Sequence, residues 1–107
     1  MSFFLTVLYP ENEDTIFHLK YYLDHHMPLA EKIWRPFGFQ GWKLVEAVAG
    51  PDGNKGPFRV FNVMTWKDPE SYAAAAAAPE SAEIWDDLPN VCNYAPTVVS
   101  GKLLASG

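Results

Sequence analysis

The segment Phe3-Phe4-Leu5-Thr6-Val7-Leu8-Tyr9 constrains the fold more than any other part of the chain. It is rich in aromatic and β-branched side chains and stops at Pro10, which is the pattern of a strand. Successive side chains of a strand point to opposite faces. Phe3, Leu5 and Val7 therefore share one face and Phe4, Thr6 and Leu8 the other, and both faces carry apolar groups. Residues 58–66 repeat the habit, with Val60 and Met64 on one side and Phe61 and Val63 on the other. An antiparallel sheet commonly leaves one face to water. A sheet apolar on both faces needs a second layer, and the simplest supplier is a second copy of the same chain, so a two-fold homodimer with sheets face to face is expected.

The remaining elements follow from periodicity and punctuation. Residues 10–14 form a polar loop, and a helix follows that ends near Arg35. Two starts are open: Asp14 as N-cap, or His18, which would place Phe17 at N′ and Tyr22 at N4, the two positions of a hydrophobic staple. Tyr22, His26, Leu29 and Ile33 recur at helical spacing and mark its apolar face. Pro28 lies inside this helix, removes one backbone bond and should bend it just after His26. Pro36 and Gly38 finish it. Residues 41–49 read as strand 2, residues 50–57 as a Gly/Pro/Asn turn and residues 58–66 as strand 3, making a hairpin. Asp68 and Pro69 open a second helix as N-cap and first helical residue, the alanines 73–78 continue it, and Pro79 breaks it. Residues 81–87 add a helical turn or two, residues 88–91 make a turn, and residues 97–104 are the last strand. The order β-α-β-β-α-β specifies an α+β, ferredoxin-like domain over residues 1–107, with a four-stranded antiparallel sheet and both helices on one face.

Charge narrows the partners. The net charge is −5, and the 8 Lys and Arg are scattered, so neither a nucleic-acid footprint nor a basic membrane patch exists. The apolar N-terminal run lacks a basic flank and is cut short by Pro10 and Glu11, which excludes a signal peptide, and no stretch reaches the length of a membrane span. A cytoplasmic protein is expected. The lone Cys92 permits no internal disulfide; it reads as a small buried hydrophobe and suits a reducing compartment. Aromatic residues make up 15 % of the chain, more large apolar surface than a small monomer usually hides, so the surplus lines a pocket, an interface or both.

The proton-transfer chemistry is concentrated in Tyr21-Tyr22-Leu23-Asp24-His25-His26-Met27-Pro28. His26 lies on the apolar face of the first helix, one turn after Tyr22. Two readings stand for it: a general acid or base facing a ligand, or a buried neutral imidazole bonded to a backbone carbonyl. His25 points about 100° away, toward the helix edge. Asp24, two residues before His26, cannot face it along a helix and is expected to be solvated. The adjacent histidines lack metal-ligand spacing, and no nucleophile elbow or dinucleotide glycine motif exists, so neither metal nor cofactor is expected. A mostly apolar cavity with a few polar groups suits a small hydrophobic organic ligand. Candidate lining residues are Trp34, Phe37, Trp66 and Trp85, with Asn62 and Asn90 as polar handles and His25 at the rim; aromatic side chains are also the ordinary material of a core.

The run Tyr22-x-x-x-His26-x-Pro28, with its lead-in Phe17-His18-Leu19-Lys20-Tyr21, resembles the signature of the EthD family, named from ethyl tert-butyl ether degradation. Trp34, Gly38, Phe39, Leu88-Pro89-Asn90 and Gly101 fit as well, so the resemblance covers nearly the whole chain. His25 departs from it, standing where a small polar residue is more usual. The resemblance implies a dimeric α+β barrel, catabolism of small organic compounds, and often an oxidoreductase label without a known substrate. The wider superfamily includes cofactor-free lactone isomerases and oxygenases. It points to a cofactor-independent enzyme on a lactone or aromatic, polyketide-like metabolite, with His26 as acid or base and Tyr22 beside it. Two alternatives come with it: a non-catalytic binding or accessory protein of an oxygenase system, and, more remotely, haem binding through His26.

Overall fold

The computed structural model describes residues 2–107. Strand β1 (Phe3–Pro10) leads to a continuous helix α1 over residues 19–34, then to the hairpin of β2 (Phe39–Glu46) and β3 (Phe58–Trp66). Helices α2 (Pro69–Ala77) and α3 (Ala82–Val91) precede the edge strand β4 (Thr97–Lys102). The sheet order is β2-β3-β1-β4, antiparallel throughout, which is the ferredoxin-like α+β arrangement expected from the element order.

The two-faced character of the sheet is real. Phe3, Leu5, Val7 and Tyr9 of β1, and Val60, Asn62, Met64 and Trp66 of β3, are buried on the face that carries the helices. On the opposite face Thr6 pairs with Val63 on one side and Val99 on the other, and Leu8 pairs with Phe61. These side chains are only half-buried or, for Val99, exposed.

Helix α1 starts after His18, the later of the two expected starts, and the staple is present: the Phe17 and Tyr22 rings lie 5.2 Å apart. Pro28 acts differently from a simple bend. It offers no N–H to the carbonyl four residues back, and its ring crowds that carbonyl. The helix widens instead into a π turn over Tyr22–His26, where the Met27 N–H reaches back to the Tyr22 carbonyl. The wide turn takes up one extra residue, so the buried stripe shifts by one. Tyr22 and His26 are buried as expected, but Met27, Ala30 and Trp34 continue the stripe, and Leu29 and Ile33 move to its half-buried edge.

Three elements need corrected bounds. Strand β2 begins at Phe39 rather than 41 and ends at Glu46 rather than 49. Gly38 takes a left-handed φ of 118°, which turns the chain directly from the helix into the strand, and its carbonyl already accepts from the Lys67 N–H at 2.9 Å. Residues 88–91 are not a turn: α3 runs through Pro89 to Val91. Ile84, Leu88 and Val91 form one apolar stripe, and burial of Ile84 and Val91 offsets the single bond that Pro89 cannot make. Strand β4 stops at Lys102, two residues short of the expected end. The second helix opens as expected, with the Ser71 N–H donating to Asp68 Oδ1 at 2.7 Å and Pro69 first in the helix.

Candidate functional site

Short tethers tie the start of α1 to the end of α3. The His18 N–H donates to the Val91 carbonyl at 2.8 Å, Phe17 bridges to Cys92, and the Ile16 N–H donates to Asn93 Oδ1 at 2.8 Å. So held, the π turn of α1 faces the last turns of α3, and His26 meets Asp87. His26 Nδ1 lies 2.9 Å from Asp87 Oδ2, and the two side chains are only 5 % and 12 % exposed. Tyr21 Oη donates to Asp87 Oδ1, and Asn90 Nδ2 donates to the same oxygen at 3.1 Å. Partial burial pushes the Asp87 carboxyl upward, but the hydrogen bonds from Tyr21, Asn90 and His26 outweigh it and hold the group below the usual carboxylate range.

An ionised carboxylate only accepts hydrogen bonds, so His26 must carry a proton on Nδ1 to bond it. The neutral imidazole then has its lone pair on Nε2. That atom has no hydrogen bond to the described residues, and His26 lines a cavity. Of the two readings open for His26, the backbone-bonded form is not what is found: the partner is a carboxylate 61 residues away in sequence.

The cavity holds about 150 Å³. Leu5, Val7 and Met64 of the sheet form its floor, Tyr22, His26 and Trp34 of α1 one wall, and the half-exposed Trp85 and Val98 its mouth. The Tyr22 ring stacks on His26, with centroids 5.2 Å apart and planes 23° apart. Tyr22 Oη accepts from Asn62 Nδ2, and burial pushes the phenol pKa up to about 12, so it remains protonated at neutral pH.

Four of the residues singled out in the sequence thus surround one space: Tyr22, His26, Trp34 and Trp85. Five do not line it. His25 is exposed and stacks on Tyr21 at 5.0 Å. Phe37, in the short 3₁₀ turn after α1, packs half-buried against the core. Trp66 is wholly buried between Trp34, Phe39 and Tyr72. Asn62 is buried beneath Tyr22, with its Oδ1 lacking a hydrogen-bond partner among the described residues. Asn90 is exposed and acts on Asp87 rather than on a ligand. Asp24 is exposed, as expected, and pairs there with Lys20 at 2.6 Å. Among the described residues no three His, Cys, Asp or Glu side chains gather as metal ligands, and no helix is long and apolar enough to cross a membrane.

No protein-family model matches the sequence, and no curated protein does. Solved structures match over nearly the whole chain. An EthD-like protein from Ralstonia eutropha JMP134 superposes with a TM-score of 0.85 at 23 % identity, over 99 % of this chain and 95 % of that one. An ethyl tert-butyl ether degradation (EthD) family protein from Bacillus halodurans C-125 follows at 26 % identity and a TM-score of 0.73, over 97 % and 100 %. Over nearly its whole length the chain shares the fold of these EthD-like proteins. A cofactor-independent oxygenase from Streptomyces nogalater shares the fold at 13 % identity, with a TM-score of 0.63 over 98 % of this chain and 93 % of that one.

Asp87 and Tyr21 are the participants that sequence reasoning missed. In the sequence Asp87 reads as the last residue of a short helical stretch, which leaves its direction undefined. The signal that could have found it is the stripe Ile84, Leu88, Val91: continuing the helix through Pro89 puts Asp87 on the border of the buried face, with Asn90 one turn on.

Proposed function

We propose that the chain is a cofactor-independent enzyme of small-molecule catabolism in which His26 moves a proton at the substrate. The observation that carries this reading is the pairing of His26 Nδ1 with the Asp87 carboxylate beside an apolar cavity, which leaves Nε2 free to act as a base. Tyr22, protonated and stacked on His26, fixes the ring plane. The same fold serves a cofactor-independent oxygenase in Streptomyces nogalater, so the architecture itself demands no bound cofactor for chemistry. The test begins with a thermal-shift screen of lactones, anthrones, phenols and ether-pathway metabolites. A ligand at about a hundred times its Kd stabilises by roughly 2.7 kcal/mol, a shift easily seen in a small domain. His26→Gln should then lower turnover of the hit by about 10²–10⁴-fold with an unchanged melting point. Unchanged turnover sinks the reading. Binding without any turnover leaves a binding or accessory protein.

The reading includes a homodimer. Phe4, Thr6, Leu8, Phe61 and Val63 stand half-buried and Val99 exposed on the sheet face that bears no helices, and a second copy would cover them. Val63→Asp puts a carboxylate at the centre of that face, opposite Thr6. By light scattering the wild type should have twice the mass of the chain and the variant the mass of one. A wild type that is monomeric at micromolar concentration removes the dimer.

A further inference from the structure

We infer that the cavity beside His26 is built for an uncharged one-ring compound that presents an acidic O–H to His26 and a carbonyl to Tyr9. The inference rests on the reading of His26 as a base and adds the chemical class of the ligand and a second polar contact.

Size is the first argument. A space of about 150 Å³ is of the order that takes a single benzene ring. Charge is the second. Among the described residues that line the cavity there is no Lys, Arg, Asp or Glu. An anionic ligand would find no cation and would lie near the Asp87 carboxylate, separated from it only by the His26 ring. A cation would find that carboxylate already taken by Tyr21, Asn90 and His26. Either charge would lose its water without replacement, which is costly. The aromatic wall of Trp34, Tyr22 and Trp85 favours a planar guest.

Tyr9 supplies the third argument. It is 1 % exposed and lines the same cavity, edge-on to Tyr22 with centroids 6.3 Å apart. Its hydroxyl makes no hydrogen bond to the described residues, and burial raises its pKa further, so it stays a donor. A hydroxyl on a cavity-lining side chain with no acceptor among the described residues is open to a ligand carbonyl. Tyr9 and His26 thus present one donor and one acceptor to the same guest. This polarity suits a phenol or enol that also bears a ketone or lactone carbonyl.

Calorimetric titration near neutral pH tests this with four probes. 4-Hydroxyacetophenone has the ring, the O–H and the carbonyl; 4-ethylphenol lacks the carbonyl; 4-hydroxybenzoate carries a charge; 1,8-dihydroxyanthrone has three rings. The first should bind best, and 4-hydroxybenzoate at least about tenfold more weakly. Tyr9→Phe should weaken 4-hydroxyacetophenone by about tenfold while leaving 4-ethylphenol and the melting point unchanged. Tightest binding by the anthrone or the benzoate overturns the inference, as does a Tyr9→Phe variant that binds the ketone like wild type. An anthrone that binds tightly and loses turnover in His26→Gln overturns this ligand class and keeps the base. A one-ring ketone that binds through Tyr9 without turnover keeps the ligand class and removes the enzyme.

Discussion

Asp87→Asn should abolish most of the activity that depends on His26, by about 10²–10⁴-fold, while the fold survives. The expected cause is a tautomer rather than a lost contact. As a carboxylate, Asp87 accepts from His26 Nδ1 at 2.9 Å and from Tyr21 and Asn90 on its other oxygen. The Asn variant keeps one oxygen for Tyr21 and Asn90 but turns an NH₂ toward the imidazole. Nδ1 must then accept, the proton moves to Nε2, and the atom facing the cavity can no longer take a proton. Nitrogen-15 correlation spectra of the His26 ring read this exchange directly, with or without a substrate. Asp87→Glu, which keeps the charge, should restore the Nδ1–H form in part. The same pairing gives an acid signature. The folded carboxyl is held below its unfolded value, so the unfolded chain binds the proton first as pH falls. The stability Asp87 contributes is whole above the ordinary carboxylate pKa of about 3.9 and disappears as pH drops through the depressed folded value. Wild type should therefore lose more stability than Asp87→Asn across that acid window. An Asn variant with Nε2 still unprotonated and turnover within threefold of wild type refutes the positioning role.

The strands and the open sheet face were legible in the sequence because they are local: alternation along β1 and β3 is fixed by the pleat and needs no partner to be read. The Asp68–Pro69 helix start is equally local. What was hidden is whatever depends on two segments at once. His26 stands out as an imidazole on an apolar face, yet its hydrogen-bond partner is Asp87, and the tethers of residues 16–18 to residues 91–93 bring the two together. Both helix prolines misled in the same direction. Each reads as a break or bend, yet the helix continues past both: Pro28 follows a π turn that shifts the buried stripe onto Trp34, and Pro89 sits in a helix that buries Ile84 and Val91. Residue type alone could not separate pocket from core among the aromatics. Trp34 and Trp85 touch the cavity, whereas Trp66 and Phe37 do not, and the difference lies in the one-residue shift of α1 and the depth of β3.

Trp34→Ala should cost about 3–5 kcal/mol, the range for truncating a buried large aromatic. Trp34 is 2 % exposed and sits where three elements meet. Its ring contacts Trp66 and Trp85, each at 5.4 Å between centroids, and Phe39 at 6.2 Å. Its Nε1–H donates to Ser81 Oγ at 2.9 Å, and Ser81 in turn donates to the Ala75 carbonyl at 2.6 Å. That relay locks α1 to the break between α2 and α3. Truncation removes the stacking and enlarges the cavity below the ring, which packed neighbours can only partly refill. For a domain of this length each kcal/mol moves the melting temperature by about 4–8 °C, so a fall of more than about 12 °C is expected. Trp34→Phe separates the two contributions. It keeps an aromatic surface and leaves Ser81 its bond to Ala75, so the serine still has a partner and the loss should stay near 1–2 kcal/mol. Chemical unfolding of the three proteins, with comparable denaturant slopes, gives the differences directly. A loss under about 1 kcal/mol for Trp34→Ala would mean that α1 docks without this residue. It would also mean that the wall carrying His26 is held by the α3 tether alone.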